Sequence, residues 1–229
     1  MTILQTVVPG VGEVPLDWNV DILRDTEGWR ATTKKAIFFA TGINGAMQGT
    51  TAAIVKDERY TNLERGGQLA DPRMARIFAI GLEVVPLTQD LATVLESPQD
   101  IATQNRSLLN RVQLITHGCN FRFKAGKKEA FFDVMASNIP SGYGVFGVAQ
   151  TIGISVATTN IRDYLAFHNT GPRFELGERF ITIPPGQDFR AILEATPAAG
   201  FAAVAAGWVA DTCTPIRCLL FADFGTEVQ

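Results

Sequence analysis

Residues 171–195 read GPRFELGERFITIPPGQDFRAILEA and carry the clearest structural pattern in the chain. Within this stretch, residues 179–183 and 189–193 alternate between side chains suited to a core and side chains suited to solvent. Such alternation is typical of a strand with one buried face. Between the two runs lies Pro184-Pro185-Gly186, where neither proline can donate to a sheet and glycine tolerates a positive φ. The segment therefore predicts a strand, a sharp turn and a second strand.

The same pattern recurs through most of the chain. Further candidate strands lie at residues 36–41, 50–55, 76–85, 109–116, 119–124, 130–135, 145–157, 164–168 and 216–224. Within residues 76–85, the side chains of Phe78, Ile80, Leu82 and Val84 are expected to share one buried face. Gly126 predicts a hairpin turn between two neighbouring candidates.

These strands predict an all-β fold. A βαβ fold would need a helix after each strand, whereas many short strands separated by turns favour a sandwich or a barrel. We expect a single jelly-roll β-sandwich of about eight to ten antiparallel strands. One short helical insertion is expected near residues 88–105, where Ser97 and Pro98 suit the start of a helix.

The N-terminal part, residues 1–30, is predicted to be an extended arm, and residues 31–229 a single jelly-roll domain. The arm holds a group of acidic residues: Asp17, Asp21, Asp25 and Glu27. A carboxylate group could bind a cation, but the spacing of a calcium-binding loop is missing. A solvated arm, or a strand laid along a neighbouring subunit, is the preferred interpretation.

Composition excludes several classes of protein. The chain has 229 residues, 46% of them hydrophobic and 19% charged, which argues against global disorder. Its net charge of −3 disfavours a specific nucleic-acid binder. The N-terminus lacks the features of a secretory signal, and the apolar run at residues 201–210 is too short to span a bilayer. A soluble protein made in a cytoplasm is expected.

A search for catalytic chemistry finds little. The two histidines, His117 and His168, are too few and too far apart for the ligand set of a metal-binding jelly-roll enzyme. Cys119 lies two residues after His117, so the two side chains would share a strand face, but no third group orients them. No nucleophile elbow or glycine-rich phosphate loop is present. The sequence predicts no catalytic, cofactor or metal site, and a protein that is not an enzyme.

The three cysteines, Cys119, Cys213 and Cys218, do not form a disulfide framework. Buried, reduced thiols are the preferred interpretation. A pairing of Cys213 with Cys218 across a turn remains an alternative.

A resemblance emerges when several segments are read in order. They are TNLERGGQL at residues 61–69, IPSGYG at 139–144, GPRF at 171–174 with RFITIPPGQDF at 179–189, and IRCLLFAD at 216–223. In that order they resemble the jelly-roll major capsid proteins of tailless icosahedral bacteriophages, many of which carry an internal membrane. The resemblance covers the chain from Ala36 to the C-terminus and depends on turn placement. Since two barrels hardly fit into 229 residues, it favours one jelly roll.

The resemblance implies a structural protein of the virion, synthesised in the host cytoplasm, that self-assembles into an icosahedral shell. Its expected partners are copies of itself in homo-oligomeric capsomers and other capsid subunits, with an underlying viral membrane as a further candidate. The residues suggested for subunit contacts are Arg65, Gln68, Arg173, Glu175 and Gln187. Two alternatives stay open: a receptor- or carbohydrate-binding jelly-roll module of a spike or fibre, and a degenerate cupin-like enzyme.

Overall fold

The computed structural model describes most of the chain in separate stretches. These are residues 3–8, 12–30, 33–50, 54–70, 73–84, 115, 117–126, 132–140, 145–152, 161–168, 173–177, 180–195 and 213–227. The predicted helical insertion at 88–105 and most of the candidate strand at 109–116 lie outside the described residues. The described elements are β-strands, apart from one 3-10 turn at Ala136–Asn138 and helical backbone at residues 115, 117 and 118, so the prediction of an all-β fold is confirmed. The prediction of a strand at 109–116 is wrong at its one described position, Ile115, which is helical.

Nine of the twelve strands among the described residues overlap predicted strands, and those at 3–8, 12–29 and 174–175 were not predicted. In chain order they are β1 (Ile3–Val8), β2 (Gly12–Trp29), β3 (Lys35–Phe38), β4 (Met74–Val84), β5 (Cys119–Ala125), β6 (Phe132–Met135), β7 (Val145–Ile152), β8 (Ile161–His168), β9 (Phe174–Glu175), β10 (Ile181–Ile183), β11 (Phe189–Ala195) and β12 (Thr214–Glu227). The segment at 171–195 forms β9, β10 and β11, and Gly186 has the expected positive φ, 69°. The candidate at 50–55 is not a strand at the three positions described, 50, 54 and 55, although Val55 forms an isolated bridge with Ala46.

Two antiparallel sheets form the body of the protein. The first has the order β1-β2-β12-β4-β10, with β9 also paired to β4, and the second has the order β3-β11-β5-β6. Eight of these strands pair in a nested way: β2 with β12, β3 with β11, β4 with β10, and β5 with β6. The chain therefore behaves as one long antiparallel hairpin folded over on itself. Strands β7 and β8 pair with each other as a separate ribbon.

The main hydrophobic core lies between the two sheets. The second sheet contributes alternate residues of its strands, among them Phe38, Phe121, Phe123, Phe189 and Leu193, and the first sheet contributes Leu23, Ile77, Ile80, Ile216, Leu220 and Phe224. Burying each large apolar side chain stabilises the fold by about 1.5–3 kcal/mol before entropy is counted. The shared core makes the two sheets a β-sandwich.

Strand β4 departs from the expected alternation. Ala79 pairs with Phe221 and Ile77 pairs with Ala222, so Phe78 is an extra residue opposite a continuous β12. Successive side chains of a strand point to opposite faces, so the extra residue changes which side chains of β4 point to the core on either side of the bulge. Ile77 and Ile80 therefore enter the main core, while Phe78 packs on the outer face with Leu219 and Phe221. The prediction that Phe78 and Ile80 share a face is wrong.

The predicted arm is extended, but much of it belongs to the sandwich. Strand β2 pairs with β12 from Leu16 to Trp29. Leu23 and Trp29 are buried in the main core, as alternate positions of an inward-facing strand would be. The predicted boundary at residue 30 thus falls at the end of a core strand.

The loop between β3 and β4 covers the edge of β2 that β12 leaves free. The amide N–H of Gly28 donates to the Gln48 carbonyl at 3.0 Å, and the side chain of Asn62 both accepts from the Arg24 amide and donates to the Ile22 carbonyl. These bonds satisfy backbone groups that an open edge would expose. They also fix the described parts of this loop, residues 39–50 and 54–62, against β2.

Gly28 is the position where this loop approaches most closely. A Cβ at residue 28 would lie 2.2 Å from Cys213 Sγ and 2.6 Å from the Gln48 carbonyl oxygen. We expect Gly28→Ala to push the loop off β2 and to reduce the free energy of unfolding by about 1–3 kcal/mol, as other overpacked sites do. Urea denaturation measures this. Thr182→Ala, at an exposed position of β10, is the control, and equal stability of the two variants would contradict the close approach.

Candidate functional site

A cluster of charged side chains lies inside the sandwich, next to the loop that covers β2. It consists of Asp25 and Glu27 from β2 and Lys56 from the loop, and is called the buried charge cluster below. All three side chains are fully shielded from solvent, with 0% exposure. Charged residues are almost never completely buried unless they are paired. The cluster is therefore the most unusual chemical feature of the described residues.

The ammonium group of Lys56 contacts both carboxyl groups. Its Nζ lies 2.8 Å from Asp25 Oδ1 and 3.0 Å from Asp25 Oδ2, so it faces the whole carboxyl group of Asp25. The same Nζ donates to a single oxygen of Glu27, Oε1. The amine therefore contacts both oxygens of Asp25 but only one oxygen of Glu27.

Backbone amides of the loop also hold one oxygen of each carboxyl group. Phe39 N–H donates to Asp25 Oδ2 at 2.5 Å, and Gln48 N–H donates to Glu27 Oε2 at 2.7 Å. Phe39 has a φ of 64°, a left-handed conformation that is uncommon for a residue other than glycine. This conformation turns the chain at the end of β3 and helps direct the amide of Phe39 at Asp25. Strained backbone of this kind is often found where a group must be held in place.

Burial dominates the electrostatics of the cluster. Loss of hydration raises the pKa of Glu27 from 4.5 to about 7, although the nearby Lys56 opposes the change. Burial also raises the pKa of Asp25, again against the attraction of Lys56. One ammonium cannot balance two carboxylates in a medium that disfavours net charge. Both carboxyl groups therefore bind a proton more readily than exposed carboxyl groups do.

Burial disfavours the thiolate forms of Cys119 and Cys218. Cys218 on β12 is paired in register with Asp25, and burial together with the Asp25 charge raises the pKa of its thiol well above the ordinary value. Burial raises the pKa of Cys119 to about 12. Cys119 is fully buried whereas His117 is exposed, so the expectation that they share a strand face is wrong. All three cysteines are buried thiols, as the preferred interpretation predicted.

The sequence places Asp25 and Glu27 in an acidic group, but the prediction that they are exposed to solvent is wrong. They were interpreted as part of a solvated acidic arm together with Asp21, which is indeed exposed. The signal that could have separated them is the alternation Leu23, Asp25, Glu27, Trp29, in which two acidic residues occupy inward positions between apolar ones. Lys56 carries no comparable signal, because it lies in a loop.

The residues suggested for subunit contacts form two groups. Arg65, Gln68 and Gln187 lie in turns at one place on the surface, where Gln68 Nε2 donates to Asp188 Oδ1 at 2.6 Å. Arg173 and Glu175 lie elsewhere, on the outer face of the first sheet. Their side chains pair at 2.7 Å, and Arg173 also stacks on the rings of Phe78 and Phe221.

Comparisons of the chain with protein families, with curated proteins and with solved structures found no match. Within the stretches that the structure describes, no helix has the length and apolar character needed to cross a membrane. The same stretches contain no group of three or more histidine, cysteine, aspartate or glutamate side chains arranged to hold a metal ion.

Removal of the buried ammonium should destabilise the protein strongly. Lys56→Met leaves two buried carboxyl groups without their cation, a change that typically costs about 3–5 kcal/mol. The matched control is Lys35→Met, because Lys35 pairs with Glu194 at 3.6 Å while both side chains are about two-fifths exposed. Such exposed pairs contribute about 1 kcal/mol or less. Chemical denaturation compares the two variants, and similar losses would contradict the special role of the buried cation.

The raised pKa of Glu27 predicts a pH dependence of stability. Below its ordinary pKa of 4.5 the carboxyl group is protonated in both folded and unfolded chains, so its stabilising contribution is fully present. As the pH rises towards about 7, the unfolded chain ionises first and is favoured, which removes up to about 3 kcal/mol. Glu27→Gln should flatten this decline. Urea titrations across that range measure it, and identical pH profiles for both proteins would refute the assignment.

Proposed function

We propose that this protein is a single jelly-roll capsid subunit that self-assembles into an icosahedral viral shell. The observation that carries the proposal is the nested pairing of eight strands across two sheets, β2-β12-β4-β10 and β3-β11-β5-β6. A hairpin rolled up in this way gives the two Greek keys of a jelly roll, an architecture found in viral capsids, lectins and cupins. The resemblance of the turn segments to phage capsid proteins favours the capsid among these.

The N-terminal ribbon supports assembly. Strand β1 pairs with residues 12–17 of β2, whereas β12 pairs with β2 only from Leu16 onwards. Residues 3–8 and 12–15 therefore form a two-stranded ribbon that continues beyond the pairing with β12. An isolated hairpin is marginally stable in water, so a ribbon of this kind gains by pairing with, or packing on, a neighbouring subunit.

Surface residues near the ribbon fit the same role. Val20 follows the ribbon on β2 and is 69% exposed, which is unusual for a large apolar side chain in a strand. Among the residues suggested for contacts, Arg65 is exposed in a turn and suits an intermolecular contact. Arg173 and Glu175 are engaged with each other and with two aromatic rings, so their first role is to cover the outer face of the first sheet.

Removal of β1 tests the role of the ribbon. A deletion of residues 1–25 would take Leu23 and Asp25 from the interior, so it would confuse folding with assembly. A deletion of residues 2–11 leaves β2 and its pairing with β12 intact. We expect a folded subunit by circular dichroism whose assembly, measured by sedimentation velocity and negative-stain microscopy, is strongly reduced.

The outcomes separate the proposal from its alternatives. Uniform icosahedral shells from the full chain, and their loss in a folded deletion variant, support the capsid function. A stable monomer at high concentration contradicts it. Discrete trimers would favour a spike or fibre module, and tight stoichiometric metal binding would favour a cupin-like enzyme.

A further inference from the structure

The buried charge cluster brings together two groups that can react with each other. A primary amine and a carboxylic acid condense to an amide with loss of water, and the reaction needs no oxidant, reductant or cofactor. In water the two groups remain ionised and hydrated, and they do not react. In the sandwich, the side chains of Lys56, Asp25 and Glu27 are completely removed from solvent. Burial therefore disfavours the ionised form of the carboxyl groups, which resists attack by an amine.

The geometry of Asp25 suits an attack by the amine. Since Nζ of Lys56 lies 2.8 Å and 3.0 Å from the two carboxyl oxygens, it is nearly equidistant from them. The carboxyl carbon is bonded to both oxygens and is then about 3.3 Å from the nitrogen, within the separation typical of reacting atoms. Because the amine contacts both oxygens, it lies close to the plane of the carboxyl group, and the group must rotate before the amine attacks the carbon from above that plane. Glu27 offers the amine only one oxygen, so its carboxyl carbon is less directly presented.

A donor is in place for the charge that would develop on Asp25. Attack at the carboxyl carbon converts a carbonyl oxygen into an oxyanion, and fixed backbone N–H groups stabilise such charge effectively in a dry site. Phe39 N–H points at Asp25 Oδ2 from a backbone conformation with positive φ. The turn that directs this amide thus has a chemical use as well as a structural one.

Glu27 is suited to move the protons. Its Oε1 accepts a hydrogen bond from Nζ of Lys56, while the amide of Gln48 holds Oε2. Its pKa, raised to about 7 by burial, lets it both accept and release a proton near neutral pH, as a general acid–base group should.

We propose that Lys56 and Asp25 form an intramolecular isopeptide bond, with Glu27 as the acid–base group. The reactants are the Lys56 ammonium, the protonated Asp25 and the Glu27 carboxylate. Glu27 accepts a proton from the ammonium, and the free amine attacks the carboxyl carbon of Asp25. The Nζ–Cγ bond forms, the Cγ–OH bond breaks, and Glu27 relays a proton from nitrogen to the departing hydroxyl. The products are a secondary amide, one water molecule and protonated Glu27, so atoms and charge balance.

The bond would join β2 to the loop that covers it, across 31 positions of sequence. A cross-link of that span restricts the unfolded chain in the way a disulfide does. Unlike a disulfide, it does not depend on the redox state of the compartment. It would also replace buried ions, which are costly to keep out of water, by a neutral amide.

Peptide mapping of the purified, full-length protein tests the bond. Trypsin cleaves after lysine and arginine, so an unlinked chain yields residues 25–30 (DTEGWR) and a separate peptide 36–56 that ends at Lys56. With the bond, Lys56 resists cleavage and residues 25–30 appear joined to residues 36–59. The joined species has the summed mass of the free peptides 25–30 and 36–59 less one water molecule, because one amide bond connects them.

Two variants sharpen the test. Glu27→Gln keeps the shape of the side chain but cannot relay protons, and we expect bond formation to be about 100-fold slower or more. Lys35→Arg is the matched control, because it preserves the tryptic map and alters only an exposed ion pair; its bond should form as in the natural chain. A folded natural chain that still releases 25–30 and 36–56 as separate peptides after long incubation at neutral pH overturns the proposal. Unchanged bond formation in Glu27→Gln overturns the role of Glu27.

Discussion

The contact between the Lys56 ammonium and the carboxyl groups of Asp25 and Glu27 constrains the rest of the structure. A charge with no access to water must be neutralised by its neighbours, and each neighbour must be held by further bonds. Here the backbone amides of Phe39 and Gln48 hold the carboxyl oxygens, so the loop after β3 must follow one path. That path also covers the edge of β2. The contact of Lys56 with Asp25 and Glu27 therefore fixes the loop against β2, and the loop in turn covers the free edge of that strand.

The sandwich provides the conditions under which such a cluster is chemically significant. The two sheets exclude water because their inward faces are filled with aromatic and aliphatic side chains, such as Phe38, Phe121 and Leu220. In that environment, desolvation outweighs the attraction of Lys56 and raises the pKa of both carboxyl groups. The same nested strand order that supports the proposed capsid role places β2 beside β12, with Cys218 in register with Asp25.

Local patterns in the sequence predict the positions of most strands, but they do not predict which face of each strand is buried. The runs at 119–124, 179–183 and 216–224 appear as β5, β10 and β12 because alternation and turn residues are local properties. The facing of β4 was mispredicted, since the bulge at Phe78 depends on pairing with β12, which is distant in the chain. The candidate site is predicted only in part: Asp25 and Glu27 stand out as acidic residues, but the sequence analysis does not predict that they are buried.

The sequence alone determined the all-β class, the positions of most strands and the rigid turn at residues 184–186, because these follow from side-chain periodicity and backbone stereochemistry. The tertiary structure decided which residues enter the core and which meet. Lys56 lies 31 positions from Asp25, and no periodicity connects a loop lysine with a strand aspartate. Only the folding of the loop against β2 removes both from water. Burial, rather than residue type, is what gives this group its unusual chemistry.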